Sequence, residues 1–131
     1  MSSASDYLEA AVLNHVFRNT ALTSPTTVYV GLWNGDPTDT GLGGTEVTTT
    51  IDATGRKAAT FGAPSGGVIA STADVDFGAA DAGATITHFA IMDAASAGNM
   101  LAHGALVGGS QTISTGNDVK FATGNLTVTL A

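Results

Sequence analysis

The chain contains no cysteine, so it has no disulfides, no thiol chemistry and no thiolate metal ligands. Charge is scarce as well: only 11% of the 131 residues are Asp, Glu, Lys or Arg, against a usual share of about 25%. Low charge on a small body suggests that part of its surface meets other protein. Cations are the rarest of all, just Arg18, Arg56, Lys57 and Lys120 against 11 acids, for a net charge of −7. No basic stripe can neutralise phosphates, and an anionic membrane would repel the chain, so neither nucleic acid nor membrane is an expected partner. No apolar run reaches membrane-spanning length, and the N-terminus lacks the charged-then-apolar pattern of a signal peptide. One Trp and two Tyr do not advertise a deep sugar cleft.

What fills the gap is Gly (17 residues) together with Thr, Ser and Ala. Thr favours strands and Gly favours turns, so the composition is that of an all-β domain rich in turns. The length fits one domain, 1–131.

The organising stretch is Thr85 to Leu106. Thr85–Asp93 alternates Ile86, His88, Ala90 and Met92 against Thr87, Phe89 and Ile91. Met100–Leu106 answers with Met100, Ala102, Gly104 and Leu106 against Leu101, His103 and Ala105. Ala94-Ala95-Ser96-Ala97-Gly98 supplies a turn ending in glycine, which is a hairpin signal. Apolar residues on both faces place this ribbon mid-sheet with both sides covered.

Before it, residues 5–18 read as the one helix, with Leu8, Val12 and Val16 on a stripe expected to pack over an end or face of the sheet. Asp6 and Glu9 have capping-box spacing and favour the positive end of the helix dipole, and Asn19 is the expected stop. Thr26–Trp33 is a strong strand, with Val28, Val30 and Leu32 opposed to Tyr29, Gly31 and Trp33. Gly31 in mid-strand predicts a close approach or a bulge. Weak strands follow at Glu46–Ile51, Arg56–Phe61 and Val68–Ser71, and Val75 and Phe77 alternate with Asp74 and Asp76. Gln111–Ser114, Asp118–Phe121 and Asn125–Leu130 close the chain. About eight strands with turn signals every 8–12 residues predict an antiparallel β-sandwich, jelly-roll-like, with one N-terminal helix.

The chemistry-bearing patterns are thin. The loop Asp36-Pro37-Thr38-Asp39-Thr40-Gly41, with Glu46 nearby, has oxygen ligands of the kind calcium uses. It lacks EF-hand spacing, and an Asx-capped surface turn is the expected reading. With Asp93 paired to Asn99, His103 would face Phe89 with His88 on the diagonal, and a third ligand such as Asp93 would be needed for a metal. The expected role for both histidines is a strand edge, an aromatic stack or a subunit contact. No GxSxG elbow exists, and Gly41-Leu42-Gly43-Gly44 follows no buried strand-to-helix junction. No catalytic, metal or cofactor residue is assigned, and the expectation is a protein without enzymatic activity.

The opening SDYLEAAVLNHVFRNT, the SPTTVYVGLW strand with its DPTDTG loop, the TFGAPSGGV turn, the THFAIMDAASAGNMLAHGAL hairpin and the closing GNLTVTL resemble a family of small bacteriophage virion structural proteins of tail-fibre-like type. The resemblance covers almost the whole chain. It implies a particle component, assembled in the bacterial cytoplasm and retained in the virion. Symmetric self-assembly, as a homotrimer, is the expectation it carries. The absence of shaft repeats ranks a capsid decoration or cement protein on the major capsid protein first. A tail-associated or fibre-tip protein touching a host-surface glycan ranks second, with Trp33, Tyr29 and the loop 34–45 as its contacts. The interface candidates are Leu8, Val12, Val16, Tyr29, Trp33, His88 and His103.

Overall fold

The computed structural model describes residues 2–48 and 55–130. The fold is all-β and sandwich-like, with one N-terminal helix. A short strand, β1 (Ser2–Ala4), precedes the helix α1 (Asp6–Phe17). Then come β2 (Val28–Asn34), β3 (Thr45–Val47) and β4 (Lys57–Ala59). The remainder is β5 (Val68–Ala70), β6 (Val75–Ala79), β7 (Ala84–Ile86), β8 (His88–Met92), β9 (Met100–Ala105), β10 (Gln111–Ile113), β11 (Asp118–Phe121) and β12 (Thr127–Thr129). The weak strand expected at Glu46–Ile51 survives as β3; its last residues, with most of the following turn, lie outside the described residues.

Twelve strands among the described residues replace the eight or so expected. One addition is β1, where no strand was expected, and another comes from a segment that breaks and resumes. Thr85–Asp93 splits at Thr87, whose N–H donates to the Trp33 carbonyl at 2.9 Å, outside the β7 ladder. The break changes the parity of the alternation. Ile86 therefore joins Phe89 and Ile91 in the main core, and Ala90 and Met92 point the other way.

One sheet runs β1-β9-β8-β2-β3, with β4 paired to β2 as well. Because β8 occupies one edge of β2, β3 and β4 share the other, at Leu32–Asn34 and Val28–Val30 respectively. From β5 to β12 the chain forms a single nested antiparallel ribbon. β5 pairs β12, β6 pairs β11, β7 pairs β10 and β8 pairs β9, each pair enclosed by the one before. The outer three pairs pack on the face of the sheet that their own innermost hairpin helps to build. Val30, Leu32, Phe89, Ile91 and Ala102 from the sheet meet Val75, Phe77, Val119 and Leu126 from the ribbon. Phe121 sits edge-on to both Phe77 and Phe89, with ring centroids 6.4 and 5.8 Å away, and so ties the two layers together. Two-stranded ribbons of three to five residues have little stability in isolation, so this core is what holds them.

The hairpin does lie mid-sheet, as its two apolar faces require. Its register starts at the tip as expected, with the Asp93 N–H donating to the Asn99 carbonyl, and departs from it farther along. Ile91 pairs Ala102 but Met92 pairs Met100, so Leu101 is an extra residue on β9. Such a bulge reverses facing on one side of it. Met100 joins Trp33, Ala90 and Met92 in a second buried cluster, while Ala102 enters the main core. His103 consequently faces Ala90, and Gly104 is the residue opposite Phe89.

The cap of α1 is Ser5 rather than Asp6: its hydroxyl accepts from the Leu8 N–H at 3.1 Å and donates to the Met100 carbonyl. Asp6 and Glu9 still occupy the first turn, favourable to the dipole. Asn19 ends the helix in the left-handed region at φ 53°. The expected packing of the helix is only half met. Leu8 and Val12 are partly buried, Val16 is 62% exposed, and no helix residue is fully buried.

Candidate functional site

Three features stand outside the main core: the outward side of α1, the loop 35–44, and the turn 94–98.

The helix is anchored at its N-terminal end. Ser5 N–H donates to the Leu101 carbonyl at 2.9 Å, and Asp6 N–H to the Asp39 carbonyl at 3.0 Å. Farther along, Leu13 (56% exposed), Val16 and Phe17 (78% exposed) stand in solvent. Isolated exposed apolar residues are ordinary, but three within one and a half turns of a helix form a patch. On the other side, Leu8 contributes to the wall of an apolar groove of about 700 Å³ that also takes in Phe61, Ile69, Ile91, Val128 and Leu130.

The loop 35–44 lies against β9. Gly41 abuts Met100, and buried His103 sits between two loop carboxylates. Its Nε2 is 2.8 Å from Asp39 Oδ1, and its Nδ1 is 3.5 Å from Asp36 Oδ1. An ionised carboxylate only accepts, so the ring donates to Asp39. Asp36 also accepts from the Thr38 N–H at 2.8 Å, the Asx turn expected of this segment. Glu46, the other candidate calcium ligand, is turned elsewhere, into a fork with Arg56. Among the described residues, no three of His, Asp and Glu come together as metal ligands. His88 shares a sheet face with His103, but its Nδ1 meets Thr87 Oγ1 at 2.8 Å.

Arg56 was not singled out by its sequence context, yet it is the most connected cation. It is 8% exposed; Nε and Nη2 reach Glu46 at 2.7 and 3.0 Å, and Nη1 reaches the carbonyls of Ala94 and Ala97, both at 2.8 Å. A buried guanidinium is tolerated only when its donors are satisfied this fully. The result is a clamp on the tip of the central hairpin. That tip closes with Ala97 and Gly98 at φ 52° and 75°, and Asp93 accepts from the Asn99 N–H at 2.7 Å. The only sequence signal for the clamp was an acid ten residues before a rare cation.

Trp33 is 6% exposed, in the cluster with Ala90, Met92 and Met100, so its ring is not displayed for stacking. It folds over Gly31: a Cβ there would lie 2.8 Å from the ring, which accounts for the glycine in mid-strand. Tyr29 is partly buried and pairs with Met92 and Ala58. On the ribbon, Asp74 accepts from the Thr123 N–H and hydroxyl at 2.8 and 2.9 Å, with Lys120 Nζ 3.6 Å away. The Thr123 N–H above all, then its hydroxyl and the Lys120 charge, hold the Asp74 carboxyl below its ordinary pKa.

Of the candidate residues, then, Leu8, Val12 and Val16 lie on the helix, from half-buried to open. Trp33, Tyr29, His88 and His103 belong to the sheet face that the loop covers. The two groups are not brought into one pocket. Among the described residues no helix is long and apolar enough to cross a membrane.

No curated protein matches the chain. Residues 3–129, by contrast, match the family model described as podophage GP4 fiber I protein gp80. With that match running through the helix, the loop, the clamp and the ribbon alike, the chain belongs to this family of phage structural proteins of fibre-like type, and it is a component of the virion.

Proposed function

We propose that the chain is a fibre-type subunit of a short-tailed phage particle, held in place by protein–protein contacts and acting mechanically rather than catalytically. The observation that carries this reading, beside the family match, is that α1 turns Leu13, Val16 and Phe17 outward on a domain whose own core is already filled. Such a face is stable in water only at a cost that burial against a neighbour removes. Asp39 of the loop is engaged with His103, and the carbonyls of Ala94 and Ala97 in the turn with Arg56.

A second reading, a decoration protein on the capsid shell, draws support from the compact ribbon, which among the described residues folds back on the sheet instead of extending. Contact with a host-surface glycan through Trp33 has less support, because that ring is covered.

Imaging of intact particles carrying a label on this chain tests the assignment. Label confined to tail-proximal appendages is the expected result. Many copies spread over the shell would favour decoration, and turnover of a polysaccharide or peptide by the purified chain would overturn the mechanical role.

A further inference from the structure

The acids of helix α1, Asp6 and Glu9, are confined to its first turn. Ala10-Ala11-Val12-Leu13-Asn14-His15-Val16-Phe17 contains no acid, lysine or arginine. Beyond that turn the helix is apolar apart from Asn14 and His15, and an apolar stripe on a helix is ordinarily covered. The body of the domain covers Leu8, Ala11 and Val12 only in part, and Ala10, Leu13, Val16 and Phe17 are left exposed. Ala10, Leu13 and Phe17 follow one another at helical spacing, so they form a continuous ridge.

The charges at the two ends say what fits on that ridge. Asp6 and Glu9 lie in the first turn, and Arg18 caps the last. Among the described residues Arg18 donates to Asn14 Oδ1 at 3.0 Å and meets no carboxylate within ion-pair distance. A second α1 laid antiparallel brings each Arg18 to the Asp6 and Glu9 of the other copy, sets the two dipoles head to tail, and joins the uncharged middles. A parallel arrangement would gather every copy's two acids at one end, in a chain already carrying net −7. The antiparallel arrangement is also self-complementary, as a two-fold contact must be.

We propose that the outer face of α1 is covered by a second copy of this chain, as an antiparallel helix pair with its two-fold axis near Leu13. The pairing deepens the reading of α1 as an assembly surface and rests on it, and it replaces the three-fold assembly expected from resemblance with a two-fold one.

The chain has no cysteine of its own, so single cysteines report directly. On oxidation of the full chain, Leu13→Cys links to itself. Glu9→Cys and Phe17→Cys link to each other when mixed, and each links poorly alone. Sedimentation shows a dimer for the parent chain and, for Phe17→Glu, at least about a tenfold weaker association with the far-ultraviolet dichroism of the folded chain unchanged. Arg18→Glu weakens the dimer, and adding Glu9→Arg in the same chain restores it. A monomer at every concentration overturns the proposal, as does self-linking of Glu9→Cys and Phe17→Cys equal to that of Leu13→Cys, which marks a parallel bundle. Particle imaging is independent of this: a dimer found away from fibres sinks the fibre assignment alone, and a monomer found on fibres sinks the pairing alone.

Discussion

Arg56 illustrates how much one side chain can organise in a chain with so few charges. Its guanidinium joins β3, through Glu46, to the tip of the central hairpin, through the carbonyls of Ala94 and Ala97. Arg56→Leu leaves a half-buried carboxylate and two carbonyls without their donor, and is expected to cost about 3 kcal/mol. Urea denaturation measures that loss, and faster amide exchange at Asn99 would locate it at the hairpin tip. Asp74 makes a different, pH-dependent contribution. Its carboxyl is held below its ordinary value, foremost by the Thr123 N–H, so its stabilising effect is complete above the ordinary carboxylate pKa. It is lost as pH falls through the lowered folded value. Asp74→Asn should therefore be less stable than the parent at neutral pH, with the difference closing on acidification. An NMR titration of the Asp74 carboxyl checks the direction independently.

Among the elements, α1 and the segment leading into β12 differ sharply in burial. Leu126, just before β12, is fully buried in the main core, whereas Val16 on α1 is largely open. Leu126→Ala is expected to cost about 2–5 kcal/mol. Val16→Ala should stay within about 0.5 kcal/mol in the isolated chain, and urea midpoints of the two variants measure the contrast. The helix was legible as a helix, from its 3.6-residue spacing and its acidic first turn. Which side it would bury was not, because Leu8, Val12 and Val16 share a stripe with flanking Leu13 and Phe17, and hydropathy alone ranks all five as core. The sheet elements were more legible, since Val75 and Phe77 alternate with Asp74 and Asp76, whose face alone can be wet, and Val28, Val30 and Leu32 mark a strand by their own alternation.

For the molecule as a whole, the nested ribbon has a consequence for cooperativity. Its short outer pairs share one core with the sheet, so no pair has a second set of contacts on which to persist. Unfolding should be two-state, with the fluorescence of Trp33, the single tryptophan, and the far-ultraviolet dichroism giving the same midpoint. Separate midpoints would mean that the Trp33 cluster and the main core open independently.

The β class, the single helix near the start, the mid-sheet place of the central hairpin and the crowding at Gly31 all followed from residue order, because alternation, turn chemistry and capping are local. Facing beyond Thr87 and Leu101 did not, since one inserted residue reverses every side chain after it and only cross-strand pairing shows where the insertion falls. The burial of Arg56, the covering of Trp33 and the opening of Val16 likewise waited on tertiary contacts. Each depends on partners ten or more positions away, or on the absence of one, and neither is encoded in local spacing.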